Sequence, residues 1–312
     1  MSVTSSSSSR VYDTIIECLS ELSQSNSIEA QEKSLQTLAS ITKVSPQNRN
    51  FLSQIDGAIP TLATLTSSPS PIIQTLSLLT LFNLSLNTNL KHSLADMQTI
   101  HQLNSRIVSS SSSSSPDSCK LASSLICSLA MHDKNKAKFG VAGTVQLLVK
   151  AIKNSHHEFH HHLLSSLAEL VHFHGNCTLA VRSGAIPVLL GVVKNAIDED
   201  LASTSLVVLG LLARFDEGLN GLKKSEEIVS DMLCVLKGRS MLSKEGAVDI
   251  LLRLFDEDCE ERCVKEALLL PEFAMAVTDV SVRGSVKLRG KANLLLKKMA
   301  DASLVSDMEQ WI

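Results

Sequence analysis

SGAIPVLLGVVKNAIDEDLASTSLVVLGLLARF, residues Ser183 to Phe215, decides the fold. It reads as a turn at Gly184, a helix from Pro187 to Asn195, an acidic loop Asp198-Glu199-Asp200, and a longer helix ending at Arg214. Gly184 supplies the positive φ of a sharp turn, and Pro187 suits a first helical turn because it has no N–H to leave unpaired. Leu206, Val207, Val208, Leu209, Leu211 and Leu212 make the second helix apolar on nearly every side, so it must be covered from several directions. One such hairpin cannot cover itself. Copies stacked on either side can, which makes an internal repeat the first thing to look for.

The repeat is present. GAIP recurs at Gly57 and Gly184, and Gly143 in AGTVQLLVKAI holds the same place. Gln98 in QTIHQL and Glu226 in EEIVSDML are copies without glycine, and Leu268, three residues before Pro271, marks the last. These markers fall about 42 residues apart. Short segments precede two of them, NKAKFGVAG and NCTLAVRSG, whose Asn135 and Asn176 are read as N-caps of a short first helix. Each copy is thus a short, a medium and a long helix. Tyr12 to Leu22 and Ile28 to Thr42 supply the last two helices of a leading copy, giving about seven in all.

Composition agrees. Hydrophobic residues make up 44% of the 312 but aromatics only 3%, a balance that favours helix on helix over a sandwich or barrel. Net charge is −3, which does not suggest nucleic acid as partner. Seven cysteines without paired short spacings point to free thiols in a reducing compartment, hence the cytoplasm or nucleus. The polar, serine-rich residues 1–10 do not resemble a secretory leader and are expected to fray, as is a tail at 301–312. The array should span 11–300, with a solvated serine-rich insertion at 109–116. No apolar run reaches the roughly 18 residues of a membrane helix.

Three helices in each copy, opened by a G-A-I-P turn, resemble the armadillo repeat, over nearly the whole chain from Val11 to Met299. The C-terminal RGSVKLRGKANLLLKKM and the NLS-type repeat ends are similar to the armadillo region of plant U-box ubiquitin ligases. The resemblance implies an all-α, right-handed α-solenoid whose long helices line a groove for a protein or peptide partner. Those ligases carry a U-box ahead of the repeats. Here the repeats begin almost at Met1, which predicts a non-catalytic scaffold or adaptor linked to ubiquitin signalling. The alternatives are the substrate-binding region of a truncated U-box-type ligase, or a nuclear transport adaptor.

In armadillo proteins an Asn near the end of each long helix grips a peptide backbone. Carried onto this sequence, that position gives Ser40, Asn83, Ser128, Glu169, Leu211, Arg253 and Lys297, so only Asn83 keeps the family residue. The Asn and Trp ladder that a transport adaptor needs is missing, and Trp311 lies outside the array. The resemblance therefore implies a groove of different chemistry.

Other clusters are read as structural. His156, His157, His160, His161 and His162, with His172 and His174, place two imidazoles on one helical face, but no spacing completes a tetrahedral metal site. Cys259 and Cys263 in CEERC lack a second pair, and Cys177 stands alone. Arg283, Lys287, Arg289, Lys291, Lys297 and Lys298 are read as the solvated face of a terminal cap. No phosphate loop, nucleophile elbow, zinc-protease motif or dinucleotide fingerprint occurs. Cofactor and metal are expected to be none.

Overall fold

The computed structural model describes residues 3–25, 27–109, 116–154, 160–195, 198–256 and 262–309. These contain twenty α-helices and one short 3-10 turn, with no strand among the described residues. The leading pair is α1 (Val3–Gln24) and α2 (Ile28–Val44). Triplets follow, each ending in a helix at least as long as the others, as expected; they run short, medium and long except that in the first the opening helix is one residue longer than the middle one, and in the third the middle and last are equal. The first is α3 (Pro46–Gln54), α4 (Ala58–Leu65) and α5 (Pro71–Ser85). The second is α6 (Lys91–Leu94), preceded by the 3-10 turn Thr88–Leu90, then α7 (Met97–Ser109) and α8 (Pro116–Ala130). The third is α9 (Asp133–Val141), α10 (Thr144–Asn154) and α11 (His160–Leu170). The fourth is α12 (His174–Arg182), α13 (Ala185–Asn195) and α14 (Glu199–Leu212). The fifth is α15 (Asp216–Lys223), α16 (Ile228–Lys237) and α17 (Met241–Leu254), and the last is α18 (Arg262–Leu269), α19 (Pro271–Arg283) and α20 (Val286–Glu309). The all-α solenoid read from the repeat is what these helices form.

The turns show why. Gly57, Gly143 and Gly184 have φ of 79°, 77° and 80°, and no other described residue has positive φ. An L side chain there would be strained, so the glycine markers of the sequence are the left-handed entries to the medium helices. Where the glycine is missing, a side chain takes over: Asp96 accepts from the Thr99 N–H at 2.9 Å and from its hydroxyl at 2.6 Å ahead of α7. Serine caps open α2, α3, α5 and α17, with Pro46 and Pro71 in the first turns of α3 and α5. Asp198 caps α14, whose first turn holds Glu199 and Asp200 beside the positive helix end.

The chain divides into two compact bodies, Met1–Asn176 and Cys177–Ile312. In the first, the long helices α2, α5, α8 and α11 lie side by side, and the medium helices α1, α4, α7 and α10 form a second row. Leucines such as Leu35, Leu38, Leu78, Leu81, Leu125, Leu129, Leu163 and Leu167 fill the space between them. Small polar groups tie the long helices together within that core. Ser85 Oγ donates to Ser128 Oγ at 2.8 Å, and Ser166 Oγ donates to the Ser123 carbonyl at 2.6 Å. In the second body α14, α17 and α20 form the long-helix row, with α16 beside α19 and the Phe255 and Phe273 rings 6.1 Å apart at its end.

Three expectations change. The serine-rich residues expected to fray belong to α1 from Val3 onward, and the expected tail at 301–312 continues α20 as far as Glu309. Asn135 and Asn176 are not N-caps. Each is the third residue of its short helix and buried, and its amide ties two repeats. Asn135 Nδ2 donates to the carbonyls of Leu129 at 3.0 Å and Lys91 at 2.8 Å, and Asn176 Nδ2 to those of Leu170 at 3.0 Å and Lys136 at 2.9 Å. The cause is accounting: carbonyls at the end of a long helix lack intrahelical donors, and buried ones need a partner. Of the serine-rich insertion at 109–116, residues 110–115 lie outside the described residues.

Candidate functional site

The long helices of the second body frame a cavity of about 670 Å³. Its floor is α14, where Leu206, Val207, Gly210 and Leu211 face it along one stripe at helical spacing. A close approach sets the far wall: a Cβ on Gly246 of α17 would lie 2.9 Å from the Leu206 Cβ, so only glycine lets α17 sit this near α14. Gly210 is the opposite case, since a Cβ there would meet nothing within 4 Å. The floor is therefore open to solvent at its centre. Val207, Leu242 and Leu294 line the same cavity and remain 46%, 58% and 48% exposed. Three large apolar side chains are thus left partly in water around one concavity.

Charge surrounds this apolar floor in an ordered way. Glu245 and Asp249 of α17, and Asp256 just past its end, line the cavity, and each meets a lysine one repeat onward on α20. Lys287 lies 3.4 Å from Glu245, Lys291 is 3.0 Å from Glu245 and 2.6 Å from Asp249, and Lys298 is 3.0 Å from Asp256. The hydrogen bond from Lys291 holds the Glu245 carboxyl below its ordinary pKa. For Lys291, burial works against the charge, and the bonds to Asp249 and Glu245 outweigh it, leaving its pKa raised. The same rows one repeat earlier are occupied by Ser203 and Val207 of α14 and by Arg214 just past its end, so the acid–lysine ladder does not continue there. Arg214 is exposed, lines the cavity, and makes no ion pair among the described residues.

The positions carried over from the armadillo pattern do not gather in one place. Leu211 and Arg253 line this cavity. From α20, Leu294 and Lys298 line it, whereas the neighbouring Lys297 is exposed and is not among the lining residues. In the first body Asn83 is buried, and its Nδ2 donates to the Ala39 carbonyl at 3.1 Å and to Thr42 Oγ1 at 3.2 Å, fastening α5 to α2. Ser128 is buried against Ser85. Glu169 sits 3.0 Å from Lys136, which also holds Asp133 at 2.9 Å. Ser40 is exposed and its hydroxyl donates to the Gln36 carbonyl of its own helix at 2.8 Å. Val207, Gly210, Arg214, Glu245, Asp249 and Lys298 were not singled out by that transfer. The signal that finds them is comparison of whole rows, such as Val207, Asp249 and Lys291, or Arg214, Asp256 and Lys298.

The remaining sequence clusters carry no assembled chemistry. His156, His157 and Cys259 lie outside the described residues. Among the described residues, no group of three or more His, Cys, Asp or Glu is placed to hold a metal ion. Cys263 is buried, and burial pushes its pKa up. Of the C-terminal cations, Arg283 pairs with Asp279 at 3.0 Å, and Lys287, Lys291 and Lys298 belong to the ladder. Among the described residues no single helix is long and apolar enough to cross a membrane.

Comparison with known proteins agrees with this architecture. No protein-family model matches the chain. It is 26% identical over 231 residues to U-box domain-containing protein 8 of Arabidopsis thaliana, covering 74% of this chain and 59% of that protein. It is 31% identical over 120 residues to U-box domain-containing protein 1 of Medicago truncatula, covering 38% of this chain and 17% of that one. The chain thus matches less than two thirds of the length of either relative. Among solved structures, a designed armadillo repeat protein in complex with the peptide (KR)4 superposes with a TM-score of 0.66 at 15% identity, over 77% of this chain and 99% of that one. A second designed armadillo repeat protein covers 91% of this chain and 98% of its own with a TM-score of 0.55 at 13% identity. An engineered protein reaches a TM-score of 0.67 at 17% identity over 78% of this chain. The fold is that of the armadillo repeat, and the sequence is similar to plant U-box proteins.

Proposed function

We propose that this armadillo array is a non-catalytic scaffold that binds a segment of a partner protein along the long-helix face of its second body. The observation that carries the reading is the cavity over α14, with Val207, Leu242 and Leu294 exposed around an unobstructed Gly210. Burying such aliphatic side chains is worth about 25 cal/mol for each Å² removed from water, which gives a modest but distributed affinity. The positions Leu211 and Arg253 belong to this surface. Asn83, Ser128 and Glu169 fasten helices of the first body, Ser40 bonds within its own helix, and Lys297 is exposed on α20. Crosslinking mass spectrometry on the tagged chain in cell extract tests the reading. Crosslinks from the cavity rim to one recurrent protein support it, and a partner held only on the medium-helix row contradicts it.

The similarity to U-box proteins supports a finer reading, in which the chain recruits substrates within ubiquitin signalling, as an adaptor or as the recruiting part of a ligase. Copurification followed by a ubiquitination assay decides it: ubiquitin machinery recovered with the chain supports the reading, and its absence removes it. We assign the protein to the cytoplasm or nucleus, in keeping with the thiols of Cys18, Cys127, Cys234 and Cys263, which form no disulfide among the described residues. Imaging of a tagged chain tests that assignment.

A further inference from the structure

We infer that Met131 is a site of reversible oxidation by peroxide, and that the sulfoxide formed there becomes the hydrogen-bond acceptor of the buried Lys91 ammonium.

Two repeats of the first body, set side by side, carry the argument. Lys91 on α6 and Lys136 on α9 hold the same place, because the backbone carbonyl of each accepts from a buried asparagine of the next repeat, Asn135 at 2.8 Å and Asn176 at 2.9 Å. Both lysines are buried. Lys136 is paired with Asp133 at 2.9 Å and with Glu169 at 3.0 Å. Around Lys91 both acids are replaced: Thr88 stands three residues before it, as Asp133 does before Lys136, and Ser128 of α8 holds the row that Glu169 holds on α11. Lys91 is 8% exposed, and among the described residues its ammonium hydrogen-bonds only to Met131 Sδ, at 3.6 Å. A thioether is a weak acceptor, and a buried cation without a strong one is costly. Burial accordingly lowers the Lys91 pKa, against the opposing pull of Cys127 and Glu169.

Met131 lies just past α8 and is 62% exposed, so an oxidant reaches its sulfur from solvent. A sulfur lone pair attacks one oxygen of hydrogen peroxide, the O–O bond breaks, an S–O bond forms and water leaves; the sulfur is oxidised as the peroxide is reduced. The sulfoxide oxygen is a polar acceptor, and its bond to an ammonium is charge-assisted. Methionine's unbranched chain lets that oxygen turn toward Lys91. Oxidation thus supplies at Lys91 what Asp133 and Glu169 supply at Lys136, and fastens α6 to the end of α8. Methionine sulfoxide reductase restores the thioether.

The test uses the full chain, with oxidation read by peptide mass spectrometry and Lys91 titrated through the NMR signal of its ε-carbon, assigned by its loss in Lys91→Arg. Dilute hydrogen peroxide should convert Met131 and the exposed Met275 before the buried Met232 and Met299. The Lys91 midpoint should then rise by about half a pH unit or more, roughly a threefold gain in proton affinity. Met131→Leu keeps an apolar side chain without the sulfur, so peroxide should leave its Lys91 midpoint in place. Met131→Gln carries an amide oxygen close to where the sulfoxide oxygen would stand, and should raise the midpoint with no peroxide added. Oxidation of Met232 and Met299 ahead of Met131 would overturn the inference. So would a Lys91 midpoint that stays put when Met131 is oxidised, one that rises equally in peroxide-treated Met131→Leu, or one that is no higher in Met131→Gln than in Met131→Leu.

Discussion

Asp249 and Lys291 stand one repeat apart, and their side chains meet at 2.6 Å across the seam between α17 and α20. Lys291 also reaches Glu245 at 3.0 Å, so one ammonium joins two turns of α17 to the last helix of the chain. This seam gives the terminal repeat a pH-dependent fastening. The Glu245 pKa is lowered, so its contribution is present above the unfolded value of about 4.3 and is lost as pH falls through the folded value below it. The Lys291 pKa is raised, so its contribution is present below about 10.4 and is lost as pH rises through the folded value above it. Thermal unfolding of the protein and of Lys291→Met across this range should therefore show a gap that is widest between those limits and closes outside them. Because Asp249 is 43% exposed, the gap at neutral pH should stay within about 1 kcal/mol. A gap independent of pH would mean that the side chain's packing matters and its charge does not.

Asn135 makes a sharper prediction. Its amide donates to two backbone carbonyls in different helices, and no water reaches it. Asn135→Leu keeps similar volume and removes both donors, which should destabilise the protein by roughly 2 to 4 kcal/mol in urea unfolding. Asn176→Leu breaks the same pattern and should cost a similar amount. Loss of less than about 0.5 kcal/mol at both sites would contradict the role assigned to these amides.

Gly184 has φ of 80°, and an added Cβ would touch nothing within 4 Å. Gly184→Ala thus isolates backbone strain from crowding and should cost about 1 to 2 kcal/mol. Gly210→Ala, in the regular part of α14, should instead raise stability by about 0.5 to 1 kcal/mol, because alanine favours the helix and has space. Equal effects at the two glycines, read by chemical denaturation, would refute the assignment.

Burial pushes the Cys177 thiol up to about 12, with Glu217 adding to the rise. At pH 8 it should be almost wholly protonated and resist alkylation, since the thiolate is the reactive form. Cys234 is exposed and should be labelled first. Timed iodoacetamide labelling read by peptide mass spectrometry checks the order. Early loss of Cys177 in the native protein would show that α12 opens more readily than its packing implies.

Much of the fold was legible in residues with one local meaning. Gly57, Gly143 and Gly184 demanded positive φ and have it, and Pro187, read as the start of its helix, is the third residue of α13. Asn135 misled because asparagine satisfies backbone groups both as a cap and as a tertiary tie, and local sequence does not distinguish the two. The groove was harder to read for the same physical reason. Asn83 carries the family residue, yet its amide faces α2; residues such as Val207 and Gly210 become significant only when a neighbouring repeat leaves them uncovered. Exposure of that kind belongs to the stack of helices and not to any one of them.

The most direct test of the account is photocrosslinking from Val207, replaced by a benzophenone amino acid in the full chain and exposed to light in cell extract. The account predicts one recurrent protein captured from Val207, none from the same probe at Gly191 on α13, and loss of the adduct when Gly210→Trp is added. Capture of the same proteins from both positions, or an adduct that persists with Gly210→Trp, would contradict it.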